Sequence, residues 1–438
     1  RWRNINFANL LAAGDNSKTV VNFCQAKVIL LKTMAKKVLI ISPEIYPKVK
    51  VGGLGKMVAG VAKGLAKRGV EVKTFSPSQN IYRSLWKKQA EVEYRKLGWQ
   101  AGQYCQKNQW RPDYLWVHDW GGVWAVDEFA KSGRFGSGKI VWTIHSPLGD
   151  NYDYSYGYGY QGEDEPIDWG DSFFDFSDLV KQGVELADLV TTVSPGFANR
   201  LNRHSLFQNV DSIIGISNGL DVEAWDPSRD QLIDFKFKNS WLEFKERNKQ
   251  VLQKKFNLPI RNVPIFSFVS RVASQKGIEL LLKALLNFVA KNDIQFIFVG
   301  SGEKRLVHRI KALSQQFPSK VGAKLKADFD LPHQVFAGAD FLVLPSLSEP
   351  FGIVVAEAKK YGVVPIVHLI DGLKDQVQDN KNGFGFWNYH QEKLEKKLYQ
   401  GLNSWQSEWQ KNQWKKNKTD SWIDVSQKWL KVFYEYSS

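Results

Sequence analysis

The chain has 438 residues, 43% of them hydrophobic and 24% charged, and 60 lysines and arginines against 45 acids leave a net charge of +15 at neutral pH. That length suits about three domains with a self-sufficient core; two cysteines, Cys24 and Cys105, exclude a disulfide scaffold and a cysteine-based zinc cluster, and no apolar run reaches the roughly 18 residues of a bilayer crossing. The charge steers polyanions or phosphorylated small molecules toward the protein, yet the lysines form no dense tract and no nucleic-acid-binding signature appears, so they read as solvated surface.

Residues 1–36 form an extension of unknown role. Up to Thr33 it holds five Lys/Arg against one acid, Asp15, a pattern shared by transit peptides and by arbitrary chain starts. From Lys37 strand and helix alternate. KVLIIS (37–42) is a short β-branched run of the kind buried on both faces of a sheet. The turn PEIYPKVKVGGLG follows, then a predicted helix over KMVAGVAKGLAKRG, with Met57, Val61, Leu65 and Ala66 on one face and Gly69 as its stop. Further strands are predicted at VEVKTFSP, YLWVHD (114–119), KIVWTIH (139–145), LVTTVS (189–194) and SIIGIS (212–217).

Residues 228–262 are polar, charged and helical in character. A second series opens at PIFSFVSR (264–271) and continues through QFIFVG (295–300), DFLVLP (340–345) and VPIVHL (364–369). The fold class is α/β: two Rossmann-like doubly wound domains, at 37–227 and 263–400, facing each other across a cleft with ligands at the carboxyl ends of the strands. A helical connector (228–262) joins them. In the helical tail (401–438), Trp422, Trp429 and Phe433 fall at helical spacing and are expected to pack it onto the body. The total of 17 Trp and 15 Tyr still leans toward carbohydrate, because flat aromatic faces also stack on sugar rings.

The segment 345–367, PSLSEPFGIVVAEAKKYGVVPIV, sets a polar loop with Glu349 between a strand end and a helix opened by Pro350, Phe351 and Gly352. Free N–H groups and the positive helix end then face the strand terminus, where a diphosphate fits. Glu349 can reach ligand hydroxyls from there, and Glu357 lies two turns further in. Taken singly, both acids would merely favour the helix N-terminal half. In SRVASQKG (270–277), Arg271 ends a strand and Lys276 precedes Gly277 and a helix. Such a pair is usually solvated; upstream of Glu349 in the same sheet, it offers two cations to a leaving diphosphate whose charge grows as the glycosidic bond breaks.

In the N-terminal half, Lys50-Val51-Gly52-Gly53-Leu54-Gly55 lies between a strand and a helix, where glycines let backbone approach a ligand. It has neither the GxGxxG spacing of a dinucleotide fingerprint nor the Walker A pattern. His118-Asp119-Trp120 and Thr143-Ile144-His145 each end a strand, which sets Asp119 and His145 at one rim. The turn Asn218-Gly219-Leu220-Asp221, with Trp225 and Pro227, completes the set. Each of these is bland in isolation.

Together the motifs resemble the glycogen and starch synthases, glucan-elongating glycosyltransferases that use ADP-glucose or UDP-glucose. The resemblance runs from about Lys37 to Val377 in the family's order, through KVGGLG, HDW, TIH, DLVTTVSPGFANRL, SNGLDVEAWDP, SRVASQKG, FVGSGE and PSLSEPFG. It implies a GT-B fold with an N-terminal acceptor domain and a C-terminal nucleotide-sugar donor domain. Lys50, Gly52 and Gly53 then match the loop that closes on the nucleotide-sugar. Asp119 and His145 match residues beside the transferred glucose, and Asn218 a polar residue of the same cleft. Arg271 and Lys276 match the diphosphate-binding pair, and Glu349 the essential acid contacting the donor glucose. Phe351 and Gly352 fall in the donor loop. Glu357 gives the E-x7-E spacing in which the second acid holds the ribose.

The resemblance further implies retention of anomeric configuration, α-1,4-glucan as acceptor, and no metal or bound cofactor. Neither nucleic acid nor membrane is a partner. The location it implies is cytoplasmic, or plastid if the basic extension is the remnant of a transit peptide. Several positions depart from the family. Lys56 stands where its loop has Asp, Ser146 follows His145 in place of Asn, and Asp371 replaces a glycine. Only 62 residues, 56–117, separate Gly55 from His118, and a Tyr/Gly-rich stretch, NYDYSYGYGYQG (151–162), replaces a brief loop. Two rivals follow. One is a retaining GT-B transferase with another acceptor, which HDW and KVGGLG oppose. The other is a non-catalytic glucan-binding homologue, which the intact Arg271, Lys276 and Glu349 oppose.

Overall fold

A computed structural model describes residues 36–48, 53–77, 89–133, 135–146, 177–412 and 419–436. The extension up to residue 35, Lys50, Gly52 and the segment 151–162 lie outside these residues. The first sheet contains β1 (Lys37–Ile41), β2 (Glu71–Phe75), β3 (Tyr114–His118), β4 (Lys139–Ile144), β5 (Leu189–Thr192) and β6 (Ile214–Gly215). Its order is β2-β1-β3-β4-β5-β6, and every pairing is parallel. Val38 and Ile40 face one core with Tyr114 and Trp116, while Leu39 and Ile41 face the other with Leu115 and Val117. Helices on both faces explain why these strands are unbroken apolar runs.

The second sheet contains β7 (Ile265–Val269), β8 (Gln295–Val299), β9 (Val321–Lys324), β10 (Phe341–Leu344), β11 (Val364–His368) and β12 (Phe384–Phe386). Its order, β12-β11-β10-β7-β8-β9, is again all parallel. The two-domain α/β reading therefore holds. Strand order reverses between β1 and β3 in the first sheet and between β7 and β10 in the second. Ligands of doubly wound sheets bind outside the carboxyl ends at such switch points.

The helices are α1 (Gly53–Lys67), α2 (Gln89–Lys107), α3 (Gly122–Ala130), α4 (Ser177–Leu186), α5 (Pro195–Leu201), α6 (Trp241–Lys255) and α7 (Ile278–Lys291). They continue with α8 (Lys304–Gln316), α9 (Leu331–Gly338), α10 (Ile353–Lys360), α11 (Leu373–Gln376), α12 (Gln391–Ser404), α13 (Glu408–Lys411) and α14 (Trp422–Glu435). Within the connector, α6 packs into the second domain: Phe244 and Leu252 join its core, and Lys249 Nζ lies 2.7 Å from Asp340 Oδ2. The tail crosses back to the first domain. Trp429 lies 4.3 Å from Trp116 between ring centroids, and Phe433 stacks on Tyr114 at 4.6 Å. A Cβ on Gly60 of α1 would sit 2.3 Å from the Trp422 ring, so the small residue there lets α14 approach.

Candidate active site

The switch point of the second sheet supplies one wall. The turn after β7 ends on Gly277, at φ 73°, where a Cβ would meet the Pro345 carbonyl oxygen at 1.9 Å. Only glycine tolerates both that angle and that approach, and it brings the turn bearing Lys276 against the end of β10. Lys276 Nζ then lies 2.7 Å from Glu349 Oε2, with the two side chains 9% and 12% exposed. The Ser346 hydroxyl donates to the same carboxylate oxygen at 3.2 Å. Burial pushes the Lys276 ammonium below its ordinary pKa; Glu349 holds it up and Arg271 adds to the fall. Arg271 is exposed and donates to Gln275 Oε1 at 3.1 Å.

Gly352, at φ 85°, turns the chain into α10 without a side-chain cap; Val355 N–H turns back to the Gly352 carbonyl at 2.9 Å, and the N–H groups ahead of it are the ones a ligand can take. The Phe351 ring is buried with Val193 and Ala356. Glu357 is buried on α10.

The carboxyl ends of the first sheet supply the other wall. Asp119 adopts φ 60° directly after β3. It accepts from the His145 and Ser146 N–H groups at 3.3 and 3.2 Å and from the Ser146 hydroxyl at 2.9 Å. Burial raises its carboxyl pKa, while the bonds from Ser146 and His145 oppose the rise. Its carboxylate therefore fixes the loop after β4, and Ser146 takes part in that fixation. His145 Nε2 lies 2.9 Å from His118 Nδ1. Burial lowers both imidazoles, His145 to about 3, and the neighbouring His145 ring disfavours charge on His118 further. The pair is neutral, with one ring donating and the other accepting. Asn218 is buried, and its Oδ1 has no hydrogen-bond partner among the described residues. A buried acceptor in that state is satisfied when a ligand donates to it.

The walls meet. Arg200 on α5 directs Nη1 to Asp371 Oδ1 and Oδ2 at 3.2 and 3.0 Å. Asp371 also accepts from the Ser348 hydroxyl at 2.9 Å and the Glu349 N–H at 3.0 Å. The loop bearing Glu349 is thereby tied to the opposite domain. Gly196 N–H donates to Asp375 Oδ2 at 2.7 Å, and the Ser194 hydroxyl donates to the Pro350 carbonyl. Gly53 opens α1 against Ile353, where its Cβ would lie 3.5 Å from Cγ2. Lys56 reaches Glu357 Oε1 at 2.6 Å.

Glu349, Lys276 and Arg271 are thus gathered at one switch point, Asp119 and His145 lie together at the carboxyl ends of β3 and β4, and Asn218 follows β6 of the same sheet. Gly53, Gly352 and Glu357 sit where α1 and α10 abut, and Lys50 and Gly52 lie outside the described residues. Sequence reasoning did not single out His118 as a partner of His145, nor Arg200 or Asp375. The only signal for Arg200 was its place in DLVTTVSPGFANRL.

Residues 37–100 and 80–215 match the family model of the starch synthase catalytic domain, and 250–420 that of glycosyl transferases group 1. A glycogen synthase from Kosmotoga olearia is 29% identical over 466 residues, covering 91% of this chain and 97% of that protein. One from Lactiplantibacillus plantarum is 31% identical over 306 residues, covering 65% of this chain and 64% of that protein. Among solved structures, the catalytic domain of starch synthase IV from Arabidopsis thaliana, bound to ADP and acarbose, has a TM-score of 0.77 at 22% identity. That match covers 92% of this chain and 100% of the other and shows a shared fold. No described helix is long and apolar enough to cross a membrane. Among the described residues no group of three or more His, Cys, Asp or Glu is placed to hold a metal.

Proposed function

The chain belongs to the glycogen and starch synthase family of GT-B glycosyltransferases, and from that premise we propose how its cleft moves glucose from a nucleotide-sugar to the non-reducing end of an α-1,4-glucan with retention of configuration. The buried Lys276–Glu349 pair at the switch point is the observation that supports the assignment most. Lys276 aligns Glu349 so that its carboxylate accepts from the hydroxyls of the donor glucose. Arg271 and Lys276 flank the diphosphate at the end of β7, with the uncapped N–H groups of α10 beside them. As the glycosidic bond breaks, the leaving diphosphate gains charge, and fixed cations in a water-poor site stabilise that change without reorganising. They supply the charge that a bound divalent ion supplies elsewhere, and the reading needs no cofactor.

Glu357 receives the ribose hydroxyls. Asp119 acts through the loop it fixes and sets His145, whose neutral ring offers a sugar hydroxyl a hydrogen bond. Asn218 Oδ1 accepts from a further hydroxyl. Lys50, Gly52 and Gly53 close over the donor as the domains meet, which holds acceptor and donor at reacting distance. No carboxylate is assigned as a covalent nucleophile. ADP-glucose is the preferred donor and the cytoplasm the place of action, in keeping with relatives of bacterial origin.

Incubation with glycogen and labelled ADP-glucose or UDP-glucose tests this. Label entering polymer and released by α-1,4-specific digestion is the expected result. Glycogen binding without incorporation from either donor would leave the non-catalytic homologue as the better reading.

A further inference from the structure

Lys56, in the first turn of α1, spans the cleft to a carboxylate of the other domain. Its ammonium lies 2.6 Å from Glu357 Oε1; the Glu357 side chain is 5% exposed and that of Lys56 34%. The Trp225 ring stands 5.4 Å from the same ammonium. The buried carboxylate is thus bonded to the more exposed partner, a side chain of α1 that reaches it from the other domain. On the donor-site reading given above, ribose hydroxyls need that carboxylate. An ammonium bonded to a carboxylate is a stronger partner than a hydroxyl, so sugar and lysine compete for one group.

We infer that Lys56 sets donor affinity: a nucleotide-sugar enters by displacing the Lys56 ammonium from Glu357. Displacement is feasible because Lys56 is part-solvated and its flexible stem can carry the ammonium into water. The empty site then holds an ion pair where a neutral side chain would leave a buried carboxylate waiting for hydroxyl donors. The inference rests on the assignment of Glu357 to the ribose.

The test is calorimetric binding of ADP and of UDP to the wild type, K56M, K56R, E357Q and the double variant K56M/E357Q, with donor KM and kcat measured alongside. K56M should bind the nucleotide about fivefold more tightly, the worth of one partly solvated ion pair. Donor KM should fall in step while kcat holds. K56R should resemble the wild type, and in the E357Q background K56M should leave the Kd unmoved. Weaker binding by K56M overturns the inference, because Lys56 would then be a donor ligand. A change in melting temperature or kcat at constant Kd also overturns it, as the mark of a structural brace. A wild type that binds neither nucleotide refutes the donor-site reading and this inference with it.

Discussion

Replacing Arg200 by methionine strips the cation from a carboxylate whose side chain is 1% exposed. Asp371 would keep the Ser348 hydroxyl at 2.9 Å and the Glu349 N–H at 3.0 Å. It would lose both contacts from Arg200 Nη1, at 3.0 and 3.2 Å. Removing one partner of a buried pair costs about 3–5 kcal/mol. Arg200 retains 21% exposure, so water reaches that end and the lower figure, about 3 kcal/mol, applies to R200M. D371N breaks the pair from the other side but keeps an oxygen for the Glu349 N–H and leaves its cation part-solvated, for about 2 kcal/mol. The two changes delete one interaction, so R200M/D371N should fall short of their sum by about 1–3 kcal/mol. Urea unfolding followed by tryptophan fluorescence gives the four values. Single losses that add to within about 0.5 kcal/mol would refute the reasoning, since the pair would then not join the domains.

A methyl group on Gly196 would sit 2.0 Å from the Asp371 carbonyl oxygen. G196A should hold α5 off the second domain and lower kcat by about 100-fold, the usual effect of an ångström-scale misplacement, with little change in ADP affinity by calorimetry. His145 and His368 fall from 6.5 to about 3 and about 4 through burial, and His118 falls likewise. Between the folded values and 6.5 the unfolded chain binds more protons, so stability is full above the unfolded value and is lost as pH falls below it. The melting temperature should drop from pH 7 toward pH 4, and H145Q should flatten that slope; an unchanged slope contradicts the neutral His118–His145 pair. Lys276→Met takes the ammonium from Glu349, and kcat should fall by about 10²–10³, the range for removing a donor aimed at developing charge.

Strands that run through the middle of each sheet are plain in the sequence because both of their faces are buried. The edge strands β9 and β12 are not: Val321-Gly322-Ala323-Lys324 ends on an exposed lysine, and Phe384-Gly385-Phe386 has three residues. The periodicity places the start of α1 near Lys56, whereas the helix begins at Gly53, because glycine's poor helix propensity hides a first turn from a local pattern. Spacing marks Trp422, Trp429 and Phe433 as a buried helix face, but nothing local says that α14 returns to the first domain. The site divides in the same way. Residues at strand ends are readable once two doubly wound sheets are recognised, because topology fixes where ligands bind. Pairs such as Lys276–Glu349 and Arg200–Asp371 join segments 73 and 171 residues apart, and local patterns hold no trace of them. Asp119 shows the remaining gap: its type and place mark it as a site residue, but nothing local says that its carboxylate also accepts from the loop of His145 and Ser146.

On the proposed function, glucose transfer takes place in the cleft where Lys276 holds Glu349. The direct measurement is the rate of transfer from ADP-glucose to glycogen by Glu349→Gln beside the wild type, with ADP binding recorded on the same samples. The expected result is a fall of about 10³ in rate, of the size that follows loss of a transition-state contact, with ADP affinity retained. Wild-type transfer by the variant would contradict it.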